Sequence, residues 1–294
     1  DGGFMESGYQ ATKKIEAELG ASIKMITDVP FDDQAFIDAL TELANGSPDL
    51  VISHGGQTQD ALLEVATNFP EIKFAITQGS VAASNVACFI IEQPQSNFLA
   101  GVLAALVTKS NIVGHISGIR VPPGLLGRAA YVDGFEHATS SGKLLTTFSG
   151  NQDQYALNYF VANAEIENGA DVIFTMLNAG ITGATDACRD GGILQIGNIK
   201  DWVAEDPDVF LGSAFADIGT GVFQAAKQVY EGKFEGKVTS IGLEDPNTVR
   251  LIVNEKYVSD DIKTTVESYK SKILSGEIVP KTEYTGPEFD PWGV

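Results

Sequence analysis

The sequence predicts an α/β protein built from two doubly wound, Rossmann-like lobes joined by a hinge. Short apolar runs alternate with segments whose apolar residues recur every three or four positions. This alternation is typical of parallel strands covered by helices. It starts a second time near residues 108–111, which favours two lobes over one continuous sheet.

The first half of the chain opens on a glycine turn and a helix that ends by Gly20. An aspartate at the start of the second helix and Pro70 at the end of the third are ordinary helix boundary signals. The last helix of this half is apolar nearly all round, which indicates a buried helix. The predicted strands are 22–29, 49–56, 72–80 and 85–92, and the predicted helices after the first are 32–45, 57–70 and 96–108.

The second half repeats the cycle and ends in a segment rich in Pro and Gly, residues 280–294, which we expect to wrap the surface. We assign residues 1–109 plus about 217–250 to lobe 1, and 110–216 plus about 251–294 to lobe 2. The predicted strands are 111–119, 143–150, 171–178, 193–198 and 209–216, and the predicted helices are 126–140, 153–169, 183–192, 217–234 and 259–276.

The composition limits the classes of partner. The formal net charge of −20 argues against binding to nucleic acid or to an anionic membrane surface, because like charges repel. Cys88 and Cys188 lie in apolar or helical runs without metal-ligand spacing, so both are interpreted as small buried residues. Apolar runs of membrane-spanning length are absent from the sequence.

Ligands of open α/β sheets bind at the carboxyl ends of the strands, so the loops that follow strands are the candidate site. These loops are rich in Gly, Ser, Thr, Asn and Gln. Two lobes predict a cleft where such loops face each other. His54 ends a strand and is expected to face the cleft. Phe4 and Met5 of the opening loop are expected to project into the cleft, with packing of Phe4 on its own helix as a hydrophobic staple as the alternative.

Catalytic patterns are missing from the sequence. It contains no nucleophile elbow, no P-loop lysine motif, no H-E-x-x-H and no G-x-G-x-x-G that opens a helix. His115 lies inside a strand and is expected in the core, and His137 on a helix surface. We therefore predict a binding protein and not an enzyme, without catalytic residues, metal ligands or cofactor.

Several segments resemble the basic membrane protein (Bmp/Med) family of ABC-transporter solute-binding lipoproteins. DGGFMESGYQ resembles the family's opening D-x-S-F-N-[DE] block, and LQIGNIKDW its G-V-D-x-D-Q turn. NGADVIFTMLNAG resembles its G-A-D-V-I-F strand. The longest and most specific match is TNFPEIKFAI followed by NVACFIIEQPQSNFLAGVLAALVTKSNIVGHISG. The similarity extends from Asp1 to about Gly242.

The resemblance implies the type I periplasmic-binding-protein fold and a purine nucleoside ligand stacked on the aromatic residue of the opening block, Phe4. The chain departs from the family at four places. Met5 replaces the family's asparagine, Gln78 an aspartate, and Ala216 the usual lysine. The turn keeps Asp201 but loses its first aspartate, where the chain has Asn198 and Ile199, and it ends in Trp202.

These features together predict a solute-binding component of an ABC importer that captures a small polar solute, foremost a purine nucleoside or nucleobase. The runner-up ligand is an anionic, amino-acid-like or short-peptide-like solute held by Arg120, which a stiff loop with two prolines presents. The alternative for Arg120 is an ion pair with Asp153 or Asp217. The alternative class of protein is a ligand sensor.

The remaining expectations concern partners and location. We expect a monomer that delivers its small-molecule ligand to a membrane permease. The resemblance implies the periplasmic or extracellular face of the membrane, with a lipid anchor on a removed N-terminal segment. Trp202 either lines the pocket or packs as local core beneath residues 203–208. The candidate ligand-binding residues are Phe4, Met5, His54, Gln78, Arg120, Asn178, Asn198, Asp201, Trp202, Phe215 and Asp217.

Overall fold

The computed structural model describes residues 3–293 and contains two sheets of mostly parallel strands covered by helices, which confirms the predicted fold class. The chain divides into two compact units. We call residues 4–91 with 217–241 the N-terminal unit, and residues 92–216 with 242–293 the C-terminal unit. No helix within residues 3–293 is both long and apolar enough to cross a membrane.

The α-helices follow the predicted order, with one short addition at Trp202–Glu205 that was not predicted. An aspartate side chain caps the second helix, where Asp32 accepts a hydrogen bond from the backbone of Ala35. The described helices are α1 (Phe4–Leu19), α2 (Asp33–Asn45), α3 (Gln59–Asn68), α4 (Gln93–Val107), α5 (Pro122–Ala138), α6 (Tyr155–Glu167), α7 (Ile181–Gly191), α8 (Trp202–Glu205), α9 (Gly219–Tyr230) and α10 (Asp260–Leu274).

The strands are short, as is usual for parallel sheets. They are β1 (Leu50–His54), β2 (Lys73–Thr77), β3 (Val86–Ile91), β4 (Ile112–Ser117), β5 (Lys143–Phe148), β6 (Val172–Met176), β7 (Leu194–Ile199), β8 (Phe210–Ala216), β9 (Val238–Ile241) and β10 (Val249–Val253).

The N-terminal unit has a parallel sheet of order β1-β2-β3-β9 among its described residues. Alternate residues of its strands face opposite helical layers. Phe74 and Ile76 are buried in a cluster with α2 and α3. Ala75 and Phe89 contact Ala225 of α9 on the other face. Both faces are thus covered, as a doubly wound sheet requires.

The C-terminal unit has a sheet of order β10-β8-β7-β6-β4-β5, in which only β10 is antiparallel to its neighbour among the described strands. Helices α6 and α7 cover one face with a cluster that includes Ile116, Ile173 and Phe210. Helices α4 and α5 pack tightly against each other. A Cβ at Gly134 would lie 1.9 Å from the carbonyl oxygen of Phe98, so only glycine permits this helix contact.

The same helix contact explains why the observed units differ from the lobes drawn on the sequence. The units divide the chain at 91/92, 216/217 and 241/242, whereas the lobes were divided at 109/110, 216/217 and 250/251. Helix α4 packs on α5, β8 and α10, all in the C-terminal unit. The boundary predicted from the restart of the strand–helix pattern therefore lies one helix, α4, after the boundary between the two units.

The strand predicted at residues 22–29 is wrong. Residues 20–30 have no regular secondary structure, and no described strand pairs with them. Ile23, Ile26 and Val29 are partly buried while the residues between them are exposed, a spacing of three and not of two. The apolar pattern anchors an irregular surface segment, because a strand also needs a neighbour with which to share backbone hydrogen bonds.

The segment 280–293 lies on the C-terminal unit. The backbone N–H of Phe289 donates to the carbonyl of Thr146 in β5, the outermost strand of the described sheet, at 2.8 Å. The Phe289 side chain packs against the cluster under α6 and α7. Lys281 lies 3.0 Å from the buried carboxylate of Asp133 in α5. The segment is thus tied to both faces of this unit.

Candidate functional site

The candidate site residues lie at the carboxyl ends of parallel strands, where this class of sheet binds ligands. In the N-terminal unit these ends carry His54 and Gln78, and Phe4 at the start of α1 lies against His54. In the C-terminal unit they carry Asn178, Asn198 and the residues after them.

Phe4 and His54 form an aromatic pair in the N-terminal unit. The two ring centroids are 4.5 Å apart with an interplanar angle of 33°. Helix α1 approaches His54 closely because residue 8 is glycine, where a Cβ would lie 2.7 Å from the imidazole. Phe4 is therefore held on the end of β1 and does more than cap its own helix.

The hydrogen bonds of His54 define a neutral imidazole. Its Nε2 lies 2.9 Å from the carbonyl oxygen of Phe4, which can only accept, so Nε2 carries the proton. Its Nδ1 lies 3.0 Å from the hydroxyl of Thr77, which in turn accepts from the backbone of Gly55. Burial lowers the pKa of His54, opposed by the Phe4 carbonyl and by the charge of Asp217. Both ring nitrogens are engaged and Phe4 lies against the ring, so the imidazole offers a ligand no free hydrogen-bonding group and instead supports the Phe4 ring.

Gln78 braces two strand ends. Its side-chain oxygen accepts from the N–H of Ile91 at 2.6 Å, and its side-chain nitrogen donates to the carbonyl of Ile91 at 3.1 Å. Its backbone has φ of +57°, a left-handed conformation that non-glycine residues seldom adopt. The amide that sequence analysis assigned to the ligand is thus committed to the backbone.

Replacing Gln78 with Ala is expected to lower the free energy of unfolding by about 2 kcal/mol, because two hydrogen bonds are lost and the buried Ile91 backbone groups are left unpaired. Urea denaturation of the variant measures this. Gln57→Ala is the matched control, since Gln57 is exposed. Equal stability of the two variants would contradict the bracing role.

Met5 and Asp217 are the other candidates of the N-terminal unit. Met5 is 52% exposed in the first turn of α1. The Asp217 carboxylate accepts from the hydroxyl of Thr220 at 3.2 Å, and its charge raises the pKa of His54. Asp217 therefore belongs electrostatically to the Phe4–His54 pair.

In the C-terminal unit the crevice beside β4, where strand order reverses, is crossed by a loop. The carbonyl of Gln152 accepts from the backbone of both Asn178 and Gly180, each at 3.0 Å. A Cβ at Gly118 would lie 2.2 Å from that of Gln152, so glycine is needed for the loop to pass. Asn178 thus stands on a rigid backbone network.

The turn after β7 contains three of the predicted residues. The Asn198 side chain is 6% exposed and has no hydrogen-bond partner among the described residues. Asp201 caps α8 by accepting from the backbone of Ala204 at 3.0 Å. Trp202 donates from Nε1 to the Asn198 carbonyl at 2.8 Å and stacks on Phe210, with centroids 5.4 Å apart. This is the local-core alternative for Trp202.

Arg120 has a different partner from the two that sequence analysis considered. Its two terminal nitrogens donate hydrogen bonds to the two carboxylate oxygens of Glu288, one of them at 2.9 Å. Neither Asp153 nor Asp217 pairs with Arg120. Arg128, which is 5% exposed, donates to the same carboxylate. The fork proposed for an anionic ligand is already filled by the chain's own 280–293 segment.

The ring of Phe215 stacks against the side chain of Arg250, a residue that the sequence did not indicate for the site. The guanidinium carbon of Arg250 lies 3.9 Å from the centre of the Phe215 ring. The two residues are directly paired between β8 and β10, and Ile199 of β7 pairs with Phe215 from the other side. Strand β10 was not predicted, so nothing in the sequence indicated that Arg250 lies beside Phe215.

His115 lies in the core of the C-terminal unit and is not a candidate site residue. His115 is fully buried, with its nitrogens 2.9 Å from Thr146 and 3.0 Å from Ser117, and burial lowers its pKa to about 3. It is a satisfied core histidine, as expected. Within residues 3–293 no group of three or more His, Cys, Asp or Glu side chains could hold a metal ion.

A family signature, that of the Bmp family described as ABC transporter substrate-binding protein PnrA-like, matches residues 1–283. The chain belongs to this family. It is 23% identical to a purine-binding protein of Brucella abortus, over 98% of this chain and 80% of that protein. It is 26% identical to a lipoprotein of Pyrococcus abyssi, over 98% of this chain and 82% of that protein.

Solved structures agree with the fold of this Bmp family member. An ABC transporter solute-binding protein from Aeropyrum pernix superposes with a TM-score of 0.83, at 22% identity, over 96% of this chain and 90% of that one. The likeness concerns the fold. The sequence-based assignment to the Bmp family is confirmed.

Proposed function

We propose that this protein is the extracytoplasmic solute-binding component of an ABC importer, and that it captures a purine as the nucleoside or the free base. The Phe4–His54 pair carries this proposal. The Phe4 ring is partly exposed and is backed by the His54 ring 4.5 Å away at a strand end, so Phe4 offers an aromatic surface that His54 holds in place. Planar, uncharged heterocycles bind to such surfaces by stacking.

The electrical properties of the pair fit an uncharged base. The lowered pKa of His54 keeps the imidazole neutral near pH 7, so it attracts no anion. The chain as a whole carries a formal charge of −20, which disfavours a multiply charged anionic solute in the absence of a local cation. The relative from Brucella abortus, named a purine-binding protein, supports the same ligand class.

Family membership supports the importer role. Substrate-binding proteins of ABC transporters deliver their ligand to a permease, which we propose as the partner here. The relative from Pyrococcus abyssi is named a lipoprotein, and this supports a location at the extracytoplasmic face of the membrane.

A calorimetric titration with adenine, adenosine, guanosine and hypoxanthine tests the ligand class, with uracil and ribose as comparisons. We expect a purine to bind the wild type, and Phe4→Ala to bind it about 10-fold more weakly or worse, since stacking of a base on an aromatic ring contributes roughly 1–3 kcal/mol. Phe31→Ala is the matched control, because Phe31 lies in the same unit and is 82% exposed. Failure of every purine to bind at millimolar concentration would overturn the proposal.

A further inference from the structure

Arg250 is the one arginine of four without a carboxylate partner among the described residues. Arg120 and Arg128 share Glu288, and Arg189 pairs with Asp186 and Asp206. The chain has 39 acidic residues against 19 basic ones, so an arginine that forms no ion pair with a carboxylate is unusual here. Its surroundings must keep carboxylates away.

The loop that precedes β10 shows how this is done. The carboxylate of Asp245 accepts from the backbone of Asn247 at 3.0 Å and from the hydroxyl of Thr248 at 2.8 Å. The carboxylate of Glu244 accepts from the backbone of Gly242 at 2.8 Å. The acidic residues that precede Arg250 are thus turned to their own loop, and Glu255, which follows it, pairs with Lys263.

The guanidinium is held in one place from two sides. One terminal nitrogen, NH1, donates to the carbonyl of Pro246 at 2.8 Å. The Phe215 ring supports a face of the group, at the 3.9 Å separation of a stacked cation. Arginine in this arrangement is pre-organised, so little side-chain entropy remains to be lost when it binds.

The other terminal nitrogen and Nε have no partner within the described chain. These two donors form the side edge of the guanidinium, and they match two oxygens of a carboxylate or a phosphate. We propose that Arg250, supported by Phe215, is an oxyanion-binding site that takes the carboxylate or phosphate group of a small solute. The site goes beyond the proposed purine capture and lies wholly in the C-terminal unit.

The test is thermal unfolding in sodium phosphate or sodium acetate, each compared with sodium chloride at equal ionic strength and constant pH. We expect either oxyanion at 100 mM to raise the Tm of the wild type by about 3 °C over chloride, the size produced by millimolar binding to the folded state. Exclusion of salts from the protein surface contributes equally to all variants. The two anions separate the sources, since one that acts alone identifies its group as the ligand.

Arg250→Gln is expected to lose the oxyanion-dependent increment. Arg189→Gln is the matched control, because it makes the same charge change at an arginine already paired with carboxylates. Arg250→Lys, which keeps the charge but not the fork, is expected to lose most of the increment. An increment in Arg250→Gln equal to that of the wild type would overturn the proposal, and a full increment in Arg250→Lys would overturn the bidentate geometry.

Discussion

Replacing Glu288 with Gln is expected to lower the free energy of unfolding by about 3 kcal/mol, the lower end of the range for breaking a buried ion pair. The Arg128 side chain is only 6% exposed and Glu288 supplies its counter-charge. The guanidinium carbon lies 4.8 and 4.9 Å from the ring centres of Phe148 and Tyr284, and these aromatic contacts cannot replace a carboxylate. The expected loss is at the lower end of this range because the Glu288 side chain is 32% exposed. Urea denaturation at pH 7 measures the loss.

The pH dependence identifies the ion pair as the cause. Hydrogen bonds from Arg120, ahead of those from Arg128, hold the pKa of Glu288 at about 2, below its ordinary value of 4.5. A lowered folded-state pKa stabilises the protein above the unfolded pKa, and this stabilisation is lost as the pH falls towards the folded one. The difference between wild type and Glu288→Gln should therefore shrink between about pH 4.5 and 2.

The control for Glu288 is Glu283→Gln, which removes an exposed carboxylate from the same segment. We expect this control to differ from the wild type by less than about 0.5 kcal/mol, as surface substitutions do. If both variants unfolded at the same urea concentration, the buried Arg128 would not depend on Glu288.

Gly134→Ala is expected to be at least as destabilising, by about 3–5 kcal/mol or with loss of the folded protein. A methyl group at this position would lie 1.9 Å from the carbonyl oxygen of Phe98, and a Cβ at Gly101 would lie 2.0 Å from that of Tyr131. These obstacles are backbone atoms, so α4 and α5 would have to separate and lose their packing. Urea denaturation or the yield of folded protein measures the effect.

The matched control is Gly46→Ala, which makes the same substitution at a solvent-exposed position. Gly46 is exposed at the end of α2 with φ of −72°, and a Cβ there would approach only the carbonyl of Leu43, at 3.2 Å. This control is expected to remain close to the wild type. A Gly134→Ala variant as stable as Gly46→Ala would show that the helix contact is not tight.

The sequence predicted the fold class because its strongest signals are local. Continuous apolar runs such as VIFTM, residues 172–176, correspond to strands buried on both faces. The errors fall where structure depends on neighbours. Residues 22–29 carry a strand-like composition but have no strand partner in the described chain. Strands β9 and β10 were missed because they are short and only partly buried.

The candidate site was predictable to the same extent. The strand-end rule found Phe4, His54 and Phe215, which lie in or beside the aromatic and cationic pairs of the structure. The rule could not find the partners. Glu288 lies 168 residues from Arg120, and Arg250 meets Phe215 through a strand pairing, so no local pattern relates them.

The position of residues 280–293 beside β5 has a consequence for behaviour in concentrated solution. An outermost strand presents free backbone groups that can recruit a strand of another molecule, the first step towards aggregation. Here the backbone N–H of Phe289 donates to the carbonyl of Thr146, and the charged Glu288 precedes it in the chain. We therefore expect loss of this segment to promote edge-to-edge association, and the stretch that covers the edge is also the one whose Glu288 neutralises Arg128.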